Sequence, residues 1–273
     1  MNNGDTLEFL GESAIRPRDS RLAMPRLDHA LVERGFCESR EKAKRAVMAG
    51  MVKVNQQLAR KPSDPVNSSD ELVLEAPEKY VGRGGCKLEH ALDHFQLSVQ
   101  GSVAIDLGAS TGGFTDCLLQ RGATRVYAVD VGHGQLAWKL RHDRRVVVMD
   151  KTNARDLTRA RFPKDFSLVD FVTIDCSFIS LKKILPGAVG LLREGGRIVA
   201  LVKPQFEAGK AEADRGAGVI SDPRIHERVI RELKEFVGET PELCWCGVTE
   251  SPLQGPAGNK EFLALIERTG RQN

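Results

Sequence analysis

No stretch of this sequence approaches the roughly 18 apolar residues that a membrane-spanning helix needs. The first twenty residues mix acidic, basic and polar side chains, so they do not read as a secretory signal. The six cysteines (Cys37, Cys86, Cys117, Cys176, Cys244 and Cys246) are scattered. No C-x-x-C pair is matched by a second pair, so neither zinc nor another metal is expected, and reduced thiols in the cytoplasm fit best. An excess of charge is also missing. Forty Lys and Arg against 37 Asp and Glu leave +3, so any basic footprint for nucleic acid must be local. With 41% hydrophobic and 28% charged residues over 273 positions, the chain can bury the core of one large or two moderate domains and stay soluble.

Against these absences one segment stands out: Asp106-Leu107-Gly108-Ala109-Ser110-Thr111-Gly112-Gly113-Phe114. The apolar run Val103–Ile105 leads into it, and a helical run, Phe114–Leu119, follows. A second strand, Arg125–Val129, ends on Asp130. Glycines let the backbone turn tightly and approach a ligand, and an acid at the tip of the second strand suits a ribose. A dinucleotide fingerprint would need G-x-G-x-x-G, yet Ser110 stands in the middle glycine slot. Asp106 puts a carboxylate where a pyrophosphate would be repelled and a cation attracted. The pattern D-x-G-x-x-x-G-G resembles the first motif of Rossmann-like methyltransferases, whose cofactor, S-adenosylmethionine, carries a sulfonium and an ammonium.

Residues 1–24 lack periodicity and read as a flexible tail. From 25 to 78 a small α+β unit is expected. Pro25 can open a helix carrying Leu27, Ala30 and Leu31, which Gly35 ends. Ser39 caps a second helix, Arg40–Ala49, which Gly50 stops. Met51–Asn55 alternates as a strand, with a turn at Asn55–Gln57, and Glu71–Leu74 closes the sheet. Arg26-Leu27-Asp28, Ser39-Arg40-Glu41-Lys42-Ala43, Gly50 and Val52-Lys53-Val54-Asn55 resemble the RNA-binding alpha-L domain named after small-subunit ribosomal protein four. Arg26, Arg40, Lys42, Lys44, Arg45 and Lys53 are the candidate phosphate contacts.

Residues 79–87 read as a glycine-containing linker, in which Arg83 is a further RNA-contact candidate, and a helix is expected to begin at Lys87. Residues 88–270 alternate strands and helices, which predicts an α/β Rossmann-like domain with an open, mostly parallel sheet. Strands are expected at 103–107, 125–129, 146–149, 170–174, 197–202, 244–248 and 261–266, and helices at 181–192 and 223–237. Ligands lie at the carboxyl ends of such strands. Asp106, Asp130, Asp150 and Asp175 fall at or just past those ends, and Gln205–Ser221 reads as a lid.

Methyl transfer to a hydroxyl needs the oxygen deprotonated and held in line, and a nearby cation helps. Lys203 follows the strand ending at Val202, and Asp175 follows Ile174. Four segments then match one family: Arg83-Gly84-Gly85-Cys86-Lys87-Leu88, Asp175-Cys176-Ser177-Phe178-Ile179-Ser180-Leu181, Leu201-Val202-Lys203-Pro204-Gln205-Phe206-Glu207 and Gly258-Asn259-Lys260-Glu261-Phe262. They resemble the TlyA family, often labelled hemolysin A, which is similar to FtsJ-like ribose 2'-O-methyltransferases.

The resemblance spans residues 25–268 and implies a K-D-K-E tetrad at Lys87, Asp175, Lys203 and Glu261. It implies 2'-O-methylation of ribosomal RNA, at a cytidine, in one or both ribosomal subunits. A cytoplasmic monomer is expected, because the thiols read as reduced and the two units supply both functions. Lys203 would be the central cation or base at the 2'-hydroxyl. Asp175 would orient it, while Lys87 and Glu261 steer the ribose. Gly108, Ser110 and Gly113 would line the methionine portion of the cofactor, Asp175 would face its sulfonium, Asp130 its ribose, and Asp150 with Lys151 the adenine edge, with Asp106, Gly112 and Phe114 also in the cofactor site. Phe178 could stack on a base or pack in the core. Three other readings conflict with the sequence. A pore-forming hemolysin lacks a span, a non-catalytic RNA-binding factor would not need the whole tetrad, and an NAD-linked oxidoreductase conflicts with Ser110 and Asp106.

Overall fold

The computed structural model describes residues 24–75, 78–209, 212, 214 and 216–270. The chain divides into two compact units, Met1–Pro77 and Glu78–Asn273.

In the first unit, helix α1 (Leu27–Glu33) and helix α2 (Arg40–Met48) precede strands β1 (Val52–Val54), β2 (Gln57–Leu58) and β3 (Leu72–Leu74), which pair antiparallel in the order β2-β1-β3. Leu27, Leu31, Ala43, Val47 and Val52 close its core. Ser39 accepts a bond from Lys42 N and caps α2. Asn55 and Gln56 both adopt positive φ in the two-residue hairpin between β1 and β2, the conformation that a right-twisted hairpin needs. Pro25 lies outside α1. Its helix begins at Leu27, because Arg26 and Pro65 bridge in extended geometry first. The expected tail, 1–24, falls outside the described residues apart from Met24.

The second unit carries one seven-stranded sheet. Its strands are β4 (Val103–Leu107), β5 (Arg125–Val129), β6 (Val146–Met149), β7 (Val169–Ile174), β8 (Leu192–Val202), β9 (Leu243–Glu250) and β10 (Phe262–Arg268), in the order β6-β5-β4-β7-β8-β10-β9. Pairs from β6 through β8 are parallel, and β10 runs antiparallel to both of its neighbours. This is the expected Rossmann-like sheet. The buried apolar runs of β4, β7 and β8 suit central strands covered on both faces. Ile105, Leu107, Val172 and Ile174 pack on one face, while Ala104, Phe171 and Leu201 pack on the other against α3 (Gly84–His94) and α4 (Gly113–Gln120).

Two expected elements differ. The helix expected over 181–192 is a 3-10 turn, Leu181–Lys183, and a short helix α6, Leu185–Val189, because Pro186 cannot donate to a continuing ladder. The strand expected at 197 begins at Leu192 and passes through Gly195 at positive φ. Residues Gly84–Lys87 form the first turn of α3. No helix among the described residues is long and apolar enough to cross a membrane.

Candidate active site

The sheet order reverses at β4, where β5 lies on one side and β7 on the other, so a crevice opens at the carboxyl ends of these strands. β4 runs out into Gly108, β5 into Asp130, β7 into Asp175 and β8 into Lys203. In the antiparallel register of β10 with β8, Phe262 faces Val202. Glu261 therefore enters at the same edge as Lys203. Lys87 arrives from the first turn of α3.

The glycines have separate geometric jobs. Gly108 takes φ +84°, and a Cβ there would lie 2.6 Å from the Asp175 carbonyl oxygen. Its lack of a side chain lets the ends of β4 and β7 meet. A Cβ on Gly113 would come within 2.9 Å of Gly85 N and 3.0 Å of Gly82 O, so α4 meets the 82–85 turn backbone to backbone. Gly112, at φ +98°, turns the chain into α4 beneath Leu136 and Leu140. Ser110 N donates to Asp130 Oδ2 at 2.8 Å, and Gly132 N donates to Asp130 Oδ1 at 2.7 Å.

Two adjoining cavities result, and they differ in charge. The larger, about 500 Å³, is lined by Gly108, Ser110, Asp130, Asn153, Asp175, Phe178 and neighbours; its lining holds two carboxylates and no Lys or Arg. Cys176 also lines it. Burial, aided by the Asp175 charge, pushes this thiol up to about 12, so it stays protonated at neutral pH. The smaller, about 350 Å³, shares Gly108, Ser110, Asp175 and Ser177 with the first and adds Arg83, Lys87, Lys203 and Glu261. Lys203 Nζ lies 2.6 Å from Asp175 Oδ1 and donates to Ser177 Oγ at 2.9 Å. Lys87 Nζ donates to Glu261 Oε2. Both lysines are 8% exposed and Glu261 is 2% exposed. An ammonium has three donors, and among the described residues Lys203 has two partners, Asp175 and Ser177. The third is available to an oxygen in the cavity. A Cβ on Gly255 would lie 2.6 Å from Glu261 Oε1, which shows how closely the preceding loop covers this carboxylate.

The sequence and the fold both match known proteins. Residues 80–268 match the family model described as FtsJ-like methyltransferase, and residues 25–72 match the one described as S4 domain. YqxC of Bacillus subtilis is 50% identical over 246 residues, 90% of this chain and 86% of that protein. The 16S/23S rRNA (cytidine-2'-O)-methyltransferase TlyA of Mycobacterium tuberculosis is 45% identical over 251 residues, 90% of this chain and 91% of its own. This chain belongs to the TlyA family. A solved structure from Streptococcus thermophilus, described as a putative hemolysin, has a TM-score of 0.68 at 46% identity and covers 90% of this chain and 88% of its own.

Not every residue expected to touch a ligand faces the TlyA-family cavities. Asp106 is fully buried below them, where it accepts bonds from Thr115 Oγ1 at 2.7 Å and Thr173 Oγ1 at 2.9 Å. Burial, opposed by those bonds and helped by Asp175, pushes its carboxyl up to about 6. It anchors α4 to the sheet instead of meeting a ligand. Asp150 is engaged by Arg141 at 2.8 Å, His133 at 3.0 Å and Gly134 N at 3.2 Å; the Arg141 bond above all holds its carboxyl below the usual range. Lys151 takes φ +54° in the turn, and its N donates to Gly132 O. The wall expected from these two residues is formed by Thr152, Asn153 and Ala154. Gly113 and Phe114 do line a smaller recess with Gly84 and Asp175, whereas Gly112 packs on leucines. Of the Gln205–Ser221 segment, 210, 211, 213 and 215 lie outside the described residues. Its far end is held by Asn259, which accepts from Ile220 N and donates to Gly218 O.

Phe178 is 90% exposed at φ +63°, so it does not belong to the core, and its ring lies 4.9 Å from that of Phe206. Sequence reasoning missed Ser177 and the fixing role of Glu207, which accepts bonds from Ser180 Oγ at 2.6 Å and Leu181 N at 2.7 Å and so holds the turn after Asp175. Both sit inside the motifs quoted for Asp175 and Lys203. In the first unit, Arg26 and Arg40 both bond the fully buried Asp28. Burial works against that charge, but the two guanidinia outweigh it and hold the carboxyl below its usual range. Lys42, Lys44 and Lys53 pair with Glu38, Glu41 and Glu75. Arg45 is exposed, with its guanidinium on the Glu41 carbonyl.

Proposed function

We propose that this chain uses S-adenosylmethionine to methylate the 2'-hydroxyl of a ribose, a cytidine's, in ribosomal RNA. The observation that carries the reading is the pair of adjoining cavities, one acidic and one lined by three cations, joined at Asp175. The lining of the first cavity holds two carboxylates and no Lys or Arg of its own, although it shares Asp175 with Lys203 of the second. Such a lining suits a sulfonium and repels a pyrophosphate, which also speaks against a dinucleotide. The cationic cavity suits a nucleotide of an RNA chain.

Asp130 and the Gly108–Ser110 turn would hold the cofactor's ribose and methionine portions, with Asn153 beside the adenine. The cofactor supplies an electrophilic methyl group when bound. Lys203, clamped by Asp175 and Ser177, presents its remaining donor to the 2'-oxygen as the central cation that stabilises the alkoxide; to serve as the base it would first give up that proton and then take the one from the 2'-hydroxyl. Lys87, held by Glu261, adds a second cation beside the substrate ribose, and Arg83 meets the RNA backbone at the mouth. Phe178 offers its exposed face to an unstacked base. Residues 25–78 act as the RNA-binding domain and 88–270 as the catalytic domain, and the 79–87 connection ends in the first turn of α3, which brings Lys87 to the catalytic domain. Of the residues assigned to RNA there, Arg45 forms no ion pair among the described residues, and the others exchange a glutamate or share Asp28. The protein acts in the cytoplasm, as a monomer, on ribosomal subunits.

The test incubates the purified protein and labelled S-adenosylmethionine with separate undermethylated 30S and 50S subunits, and maps the product by mass spectrometry. A 2'-O-methyl at a defined cytidine supports the reading. Cofactor binding without incorporation into either subunit overturns it in favour of a non-catalytic RNA-binding factor.

A further inference from the structure

A second aromatic feature lies outside both cavities. Helix α5 (Trp138–Arg141) follows β5, and its Trp138 is 75% exposed. An indole carries a large apolar surface and a polar edge, which is why tryptophan is enriched at interfaces. Packing forces this exposure. Leu136 and Leu140 are buried over Gly112, so the opposite side of the helical turn, with Trp138 and His142, must face out. The ring of His142 lies 4.3 Å from the indole at 31°. His142 Nδ1 bonds the Trp138 carbonyl oxygen at 2.8 Å. A carbonyl only accepts, so the Nδ1 proton lies there and fixes the imidazole beside the indole.

The place and the charge of this pair indicate its partner. Ala137 N donates to Thr111 O at 3.1 Å, and Thr111 lines the cationic cavity. The pair is thus tied to the rim of the site. Segment 138–145 holds Lys139, Arg141, Arg144 and Arg145 against the single acid Asp143. Lys139, Arg141 and Arg145 pair with Asp116, Asp150 and Asp143. Arg144 is exposed and has no acidic partner among the described residues.

We propose that Trp138, backed by His142, is a stacking platform for an unpaired base of the RNA next to the methylated nucleotide, with Arg144 on the adjoining phosphate. Bases stack on such rings whatever their identity, while a neighbouring cation follows the backbone. The proposal rests on RNA being the substrate. It assigns this patch to nucleic acid and not to a protein partner.

The test uses the full chain carrying Trp245→Phe, which leaves Trp138 as the sole indole, since the sequence has two tryptophans. Its emission is followed during titration with poly(C) RNA and, separately, with dextran sulfate, a polyanion without bases. Quenching by poly(C) but not by dextran sulfate is expected. Trp138→Ala should weaken poly(C) binding by roughly 5–150-fold, the range for one stacked base, and Trp138→Phe should restore most of it. S-adenosylmethionine affinity checks the folding of each variant. Equal quenching by both polyanions overturns the platform, as does unchanged RNA affinity of Trp138→Ala. Emission already blue-shifted in the free protein also overturns it, because another part of the chain would then cover the ring. Failure of methyl transfer to ribosomal subunits, with the poly(C) results intact, would overturn the proposed reaction alone.

Discussion

Replacing both members of the Lys87–Glu261 pair should restore stability and leave the protein inactive. The side chains are 10% and 1% exposed, so the pair is held almost out of water. Removing one partner strands a buried charge, which costs about 3–5 kcal/mol. At roughly 2–4 °C per kcal/mol for a unit of this size, Lys87→Met or Glu261→Met alone should lower Tm by roughly 6–20 °C. The double variant Lys87→Met/Glu261→Met fills the same space with unbranched apolar chains and strands no charge, so it should melt within a few degrees of the natural protein. Transfer to undermethylated subunits should be lost in all three. Calorimetry and the labelled-methyl assay read the two properties separately. If the double variant melts as low as either single one, the pair is held for stability and the electrostatic reasoning fails. If the double variant still transfers methyl groups, the pair has no part in the chemistry.

Other outcomes follow from the same geometry. Lys203→Ala should lower turnover by roughly 10²–10³-fold, the cost of losing one preorganised donor. Its S-adenosylmethionine affinity, read by calorimetric titration, should stay equal or rise, because the Asp175 charge is freed. Gly113→Ala should destabilise by about 1–3 kcal/mol, although alanine favours a helix, because the new methyl meets the Gly82 and Gly85 backbone; denaturant unfolding checks the sign. Asp106 is pushed up to about 6 from 3.8. The folded chain therefore keeps a proton that the unfolded chain has lost. That stability is fully present below 3.8 and is lost as pH rises to about 6, a decline of about 3 kcal/mol. Asp106→Asn should flatten this part of the curve, and parallel curves for the two proteins would refute the burial argument.

What the sequence could disclose depended on range. The boundaries of β4, β5 and β6 follow from apolar runs that end in glycine or aspartate, and runs of that kind are local. Asp175 and Lys203 were legible because a parallel strand delivers its last residue to the ligand edge. Glu261 was legible only by family resemblance. Its place depends on β10 reversing direction beside β8, and no local pattern encodes that register. The opposite error arose at Asp106, where the argument that a carboxylate beside a glycine turn meets the ligand ignored the alternation of a strand. Leu107 and Ile105 face one layer, so Asp106 with Ala104 faces the other, under α4, where Thr115 and Thr173 take its oxygens. A carboxylate that is buried and doubly hydrogen-bonded still acts on the site through its charge. It raises the negative potential beneath the acidic cavity that Asp130 and Asp175 line, and it does so at the cost of its own ionisation. The pH dependence of cofactor affinity should therefore carry the imprint of a residue buried below the cavity.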